Sequence, residues 1–179
     1  MNYSKIFSCD TNNGDGFRVS LFVSGCTLNC KNCQNKLAQD FNFGNTYTQE
    51  TEDQIIELMK KEYISGFSLL GGEPFDNLKN GELLKLLTRI KKEYPKKTIY
   101  CWTGYYYSEL LKNKLAIELL KQIDMLRDGR YIDELKDLNQ YLSGSKNQGY
   151  IDCKESIKQN KTIKYKFNKS NKRMENDKL

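Results

Sequence analysis

The sequence predicts an α/β protein built on a parallel sheet covered by helices, and three observations carry that. Short β-rich runs alternate with amphipathic helical segments at about 30-residue spacing. One run, Gly66-Phe67-Ser68-Leu69-Leu70, is almost continuously apolar, as a strand buried on both faces would be. Parallel strands also need crossover connections of a dozen residues or more, which these helical segments supply.

Taken in order, residues 1–17 read as irregular, ending in the tight turn Asn13-Gly14-Asp15-Gly16. Arg18-Val19-Ser20-Leu21-Phe22-Val23-Ser24 is β-branched and aromatic, a strand broken by Gly25. Thr51-Glu52-Asp53-Gln54 has the form of a capping box, and Ile55, Ile56, Met59 and Tyr63 behind it predict a helix over 52–63. A second helix is expected over 81–93, with Leu83, Leu84, Leu86, Leu87 and Ile90 inward and Pro95 past its end. Thr98-Ile99-Tyr100-Cys101-Trp102 is the third strand, stopped by Thr103-Gly104. Residues 106–120 read as helix in two pieces around Lys112-Asn113-Lys114, and Ile123-Asp124-Met125-Leu126 as the fourth strand, closed by Asp128-Gly129. Gln140-Tyr141-Leu142 is a candidate fifth strand.

At 179 residues the chain fits one domain, assigned to 1–153. Residues 154–179 carry nine Lys or Arg against three Asp or Glu, which accounts for the net charge of +6. That segment is expected to be a loosely ordered basic tail, solvated rather than bound to nucleic acid. There is no apolar run long enough to span a membrane and no signal-peptide pattern. Clustered cysteines in such a chain point to a reducing cytoplasm. The complete absence of histidine excludes Ser-His and Cys-His catalysis and His-ligated zinc.

What remains is the stretch Cys26-Thr27-Leu28-Asn29-Cys30-Lys31-Asn32-Cys33, placed where the first predicted strand ends. In parallel α/β sheets that end of the strands is where ligands sit. Soft thiolates take zinc, Cu(I) or iron–sulfur clusters. A structural zinc site wants four protein ligands, and here a trio stands without a second pair. A three-thiolate cluster, zinc and inert thiols all stay open on these residues alone. Of the single cysteines, Cys101 within a strand reads as a packed core thiol, while Cys9 and Cys153 are ambiguous. The Gly71-Gly72-Glu73-Pro74 segment ends the second strand; its glycines allow close backbone approach to a ligand, or simply a β-turn. Asp128 and Arg130 could meet a cofactor or belong to a plain turn, and Tyr105-Tyr106-Tyr107 could stack on a base or pack a helix.

Together, the cysteine trio and Gly71-Gly72-Glu73-Pro74 resemble the radical S-adenosylmethionine superfamily. Further stretches are similar to one family within it, the activating proteins of anaerobic ribonucleoside-triphosphate reductase. These are Asn13-Gly14-x-Gly16-x-Arg18, Leu21-Phe22-Val23-Ser24-Gly25-Cys26, Thr103-Gly104-Tyr105, Asp128-Gly129 and Gly144-Ser145-x-Asn147-Gln148. Asp15, Asn32 and Gly149 depart from the family's usual proline, glycine and arginine. The resemblance implies a small, open βα barrel. It implies a [4Fe–4S] cluster on Cys26, Cys30 and Cys33, with S-adenosylmethionine chelating the fourth iron. Gly71, Gly72 and Glu73 would hold the methionine ammonium, Asn32 and Gln34 would touch the nucleoside, and Asp128 would lie against the cofactor. Reductive cleavage would give a 5′-deoxyadenosyl radical that generates a glycyl radical on the reductase, with a flavodoxin- or ferredoxin-like protein as electron donor. The alternatives are an activator of another glycyl radical enzyme, a small enzyme such as a deazapurine synthase, and a non-catalytic zinc or Fe–S module that binds nucleic acid.

Overall fold

A computed structural model describes residues 1–137 and 139–167. Seven strands lie in one sheet: β1 (Asn2–Asp10), β2 (Phe17–Val23), β3 (Asn45–Thr46), β4 (Ile64–Gly71), β5 (Thr98–Trp102), β6 (Met125–Asp128) and β7 (Gly149–Asp152). Their order is β3-β1-β2-β4-β5-β6-β7. The four central strands β2, β4, β5 and β6 are parallel, as expected from the crossovers, while β1, β3 and β7 join antiparallel at the edges. The helices are α1 (Gln49–Met59), α2 (Glu82–Glu93), α3 (Tyr107–Leu110), α4 (Lys114–Leu120) and α5 (Cys153–Gln159).

Four expectations are corrected. The N-terminal segment read as irregular is the nine-residue β1, whose register against β2 slips between Tyr3 and Lys5 and again between Phe7 and Asp10. Those irregularities break the period of two that sequence reading relies on. Helix α1 starts earlier than 52, because Thr48 rather than Thr51 is its N-cap, with Thr48 and Thr51 bonded reciprocally. Gln140-Tyr141-Leu142 is a turn, with Leu142 at φ 52° and its carbonyl taken by the side chains of Arg127 and Trp102. The extra strand is β7. The stretch after Cys153 begins as α5, and Tyr165 donates its N–H to the Tyr150 carbonyl at 2.9 Å while stacking edge-on against Tyr100. Average composition hid that order, since its basic residues alternate with the few apolar ones. Residues 168–179 of the expected tail lie outside the described residues.

Successive side chains of a strand point to opposite faces. On one face Val19, Leu21, Val23, Phe67, Leu69, Ile99, Cys101 and Leu126 meet Ile55 and Met59 of α1, the Leu83/Leu86/Leu87/Ile90 stripe of α2, and Leu119 and Leu120 of α4. Each fully buried Leu or Ile there contributes about 2 kcal/mol. The other face is polar and aromatic. Arg18 is wholly buried on it, donating to Ser68 Oγ at 2.6 Å, to the Phe67 and Thr98 carbonyls at 2.7 and 3.0 Å, and stacking on the Tyr100 ring at 4.0 Å. Burial pulls its pKa down to about 10, and those acceptors keep a buried cation tolerable.

Candidate metal and cofactor site

The cysteine loop leaves β2 at its C-terminal end, and two backbone bonds close its base. Gly25 donates to the Ala38 carbonyl at 2.8 Å and Cys26 to that of Gln39 at 3.0 Å. Cys26, Cys30 and Cys33 are all free, half-buried thiols on this loop. Asn29 and Asn32 adopt left-handed backbone, at φ 47° and 54°, which asparagine tolerates.

The Gly71–Glu73 turn is stitched to the same loop. Gly72 donates to the Val23 carbonyl at 2.7 Å and Glu73 to the Gly25 carbonyl at 2.8 Å. A Cβ on Gly72 would sit 2.5 Å from the Gly25 oxygen and 2.7 Å from that of Ala38, so only glycine fits. The Glu73 side chain turns inward, 1% exposed. Its carboxylate accepts the Phe75 N–H at 3.0 Å, the Thr103 hydroxyl at 2.8 Å and the Gly104 N–H at 2.8 Å. Burial nonetheless pushes its pKa up to about 7, against the pull of those three donors. Glu73 thereby ties the end of β4 to the end of β5.

Asp76, in the 3-10 turn Pro74–Asn77, binds the loop from below. It accepts the Thr27 N–H at 2.7 Å, the Thr27 hydroxyl at 2.9 Å and the Tyr105 hydroxyl at 2.7 Å. From the far side Asp133 accepts the Asn32 amide at 2.8 Å and the Tyr131 hydroxyl at 2.7 Å.

The expected site residues thus divide. Cys26, Cys30, Cys33, Asn32 and the exposed Gln34 share one loop, and Gly71, Gly72 and Glu73 abut its base. Asp128 lies buried at the end of β6, accepting the Tyr107 N–H at 2.9 Å at the start of α3. Cys101 and Cys153 are buried in the core and Cys9 is exposed on β1. Of the three tyrosines, Tyr107 packs in the core, Tyr105 bonds Asp76, and Tyr106 is exposed. Asp76, Tyr131 and Asp133 escaped sequence reading. The only signal for Asp76 was an acidic residue two positions past Pro74, and for Asp133 there was none.

Among the described residues, no three Cys, His, Asp or Glu side chains converge into a ready-made metal cage. A cluster's own bonds would supply the energy to gather them, since metal binding and local folding are coupled. The donor set fits an iron–sulfur group: three soft, free thiols carried on a single loop at a strand end. Burial pushes the Cys26 and Cys30 thiols up, and a bound metal would pull them down again.

The chain is similar to known proteins along most of its length. Residues 12–151 match the 4Fe-4S single cluster domain family. The anaerobic ribonucleoside-triphosphate reductase-activating protein of Vibrio cholerae is 43% identical over 150 residues, covering 83% of this chain and 96% of the relative. Its counterpart in Escherichia coli K12 is 40% identical over the same shares. That of Enterobacteria phage T4 is 36% identical over 131 residues, 73% of this chain and 81% of the relative. Three thiols at the strand end, a glycine turn welded beneath them and likeness along most of both chains lead to one assignment: this chain belongs to the anaerobic ribonucleoside-triphosphate reductase-activating proteins.

Proposed function

We propose that this chain is a radical S-adenosylmethionine activase that generates a glycyl radical on an anaerobic ribonucleoside-triphosphate reductase. The observation that carries the reading is the double backbone bond, Gly72 to Val23 and Glu73 to Gly25, which fixes the glycine turn against the root of the cysteine loop. A cofactor spanning both would be held at two ends by neighbouring backbone. Cys26, Cys30 and Cys33 would ligate a [4Fe–4S] cluster. Bound there, the cluster and S-adenosylmethionine supply the electron and the cleavable sulfonium bond.

The chain's own groups bind and orient. The Gly71–Glu73 backbone holds the methionine ammonium, with the Glu73 carboxylate pinning that backbone from inside through Thr103 and Gly104. Asn32 and Gln34 face the nucleoside. Asp128 acts from behind, through the start of α3. The polar and aromatic sheet face, with Arg18, Ser68, Tyr100 and Arg127, would serve as the inside of an open βα barrel. A flavodoxin- or ferredoxin-like donor supplies the electron. No helix among the described residues is long and apolar enough to cross a membrane, and the free thiols suit a reducing cytoplasm.

Anaerobic reconstitution with iron and sulfide, followed by reduction and an assay for 5′-deoxyadenosine from S-adenosylmethionine, tests this. Product that requires the reductant and disappears in Cys30→Ala is expected. Tightly bound zinc, with no iron uptake and no product, would overturn it.

A further inference from the structure

A groove of about 790 Å³ opens between β1 and the segment that follows the cysteines. It starts at Gln34, next in sequence to Cys33, and runs past Lys5, Phe7 and Cys9 to the turn at 10–13. Phe7 and Phe22 form one wall, stacked edge-on with ring centroids 5.5 Å apart. Phe22 projects from the same side of β2 as Arg18 and Ser20, because strand side chains alternate, so the groove belongs to the polar sheet face. The facing wall is the 3-10 turn Lys36–Gln39, where Leu37 stands 71% exposed.

The backbone of β1 is open along this groove. β3 pairs only with Asn2 and Tyr3, so from Lys5 to Asp10 the outer edge of β1 has no strand beside it among the described residues. A free edge of that kind is a template for an extended polypeptide: main-chain bonds give affinity, and side-chain pockets give selectivity. The charge of the groove is one-sided. Asp10 is its only acid, and that carboxylate is already taken by the Asn12 N–H at 2.8 Å and the Asn13 amide at 2.7 Å. Lys5 and Lys36 leave the surplus positive.

Resting on the activase reading above, we propose that this groove takes the extended, glycine-bearing segment of the reductase, laid along the free edge of β1. The occupant is a polypeptide because a free edge bonds backbone. It reaches the cysteine loop because Gln34 forms that end of the groove. Phe7, Phe22 and Leu37 receive its apolar side chains, and Lys5 and Lys36 favour acidic ones.

Cys9 lines the groove and is exposed, which makes it a reporter. The full-length, reconstituted protein is treated with a maleimide, with and without an anaerobic ribonucleoside-triphosphate reductase, and modification of Cys9 is followed by peptide mass spectrometry. The reductase should slow Cys9 modification by about tenfold, as expected when roughly a tenth of the protein stays free. Leu37→Glu, at a side chain exposed enough to leave the fold intact, should need about tenfold more reductase for the same protection, the effect of losing one buried leucine. Leu115→Glu, on α4 across the sheet from the groove and 51% exposed, should behave as wild type. Cys9 modification that no concentration of reductase slows overturns the proposal. So does protection that appears without reductase as the protein is concentrated, which puts a second copy in the groove, and so does protection that both leucine variants weaken alike. The two readings fail separately. Protection of Cys9 with no glycyl radical on the reductase defeats the activase reading alone, and a glycyl radical with Cys9 unprotected defeats the groove alone.

Discussion

The Asp76 carboxylate reaches across from the glycine turn to Thr27 and accepts both its backbone N–H, at 2.7 Å, and its hydroxyl, at 2.9 Å. This ties the first residue after Cys26 to the segment that follows Gly71–Glu73, and Tyr105 completes the same carboxylate at 2.7 Å. Three separate strand ends, those of β2, β4 and β5, are thereby locked around the loop before any cofactor arrives.

Asp76→Ala removes all three bonds. The contacts to Thr27 are exposed, so the expected cost to global stability is modest, about 1 kcal/mol. The effect on the loop should be larger. Iron uptake during reconstitution should fall clearly below wild type, measured as iron per chain, while Asp76→Asn, which keeps an acceptor oxygen, loses less. Equal iron in Asp76→Ala and wild type would show that the tie has no bearing on the site.

Glu73 gives the protein a pH signature. Burial raises its pKa from an ordinary value near 4.5 to about 7 in the folded state. The folded protein therefore holds this proton more tightly than the unfolded chain. The resulting stability is fully present below about pH 4.5, fades as pH rises towards 7, and is gone above it, about 3 kcal/mol in all. Denaturant unfolding at pH 5 and pH 7.5 should show a fall in stability across that window. In Glu73→Gln the same fall should be absent, and stability lower at both values because the amide sets a donor against the N–H groups of Phe75 and Gly104. An identical pH profile in wild type and variant contradicts this assignment.

Two glycines at the site should respond differently to one methyl group. In Gly72→Ala the new Cβ meets only backbone, the Gly25 and Ala38 oxygens, so the loop root itself must move, at about 3 kcal/mol. In Gly104→Ala the obstacle is the tip of Leu28, 2.3 Å away, which can turn aside for about 1 kcal/mol. Leu28→Ala in the same chain should restore most of the Gly104→Ala loss and none of the Gly72→Ala loss. A double-mutant cycle from unfolding curves reads this coupling directly. No coupling between 28 and 104 would contradict the packing described.

The sequence disclosed the parts of this protein that obey a simple period or a fixed spacing. The central strands and both long helices follow their apolar patterns, and the cysteine trio and glycine turn are contiguous motifs. The parts it concealed depend on contacts distant in sequence. β1 has no clean alternation because its pairing slips twice. Asp76 and Asp133 look like ordinary surface acids until the fold brings Thr27 and Asn32 to them, 49 and 101 residues away. Arg18 reads as the polar start of a strand, yet it is fully buried because Ser68, Thr98 and Tyr100 converge on it from β4 and β5.

Arg18→Met should therefore be costly although it exchanges a charged residue for an apolar one of similar length. It would strand the Phe67 and Thr98 carbonyls and the Thr98 hydroxyl, which Arg18 satisfies at 2.7, 3.0 and 3.0 Å, with a loss of about 3 kcal/mol in thermal or denaturant unfolding. A variant as stable as wild type would mean that these acceptors find other partners.

The most direct measurement mixes the reconstituted, reduced protein with S-adenosylmethionine and an anaerobic ribonucleoside-triphosphate reductase, and records the EPR spectrum of the reductase. A glycyl radical signal on the reductase that depends on S-adenosylmethionine and is lost with Cys30→Ala is the predicted result. A cluster-loaded protein that cleaves S-adenosylmethionine yet leaves the reductase EPR-silent contradicts the account.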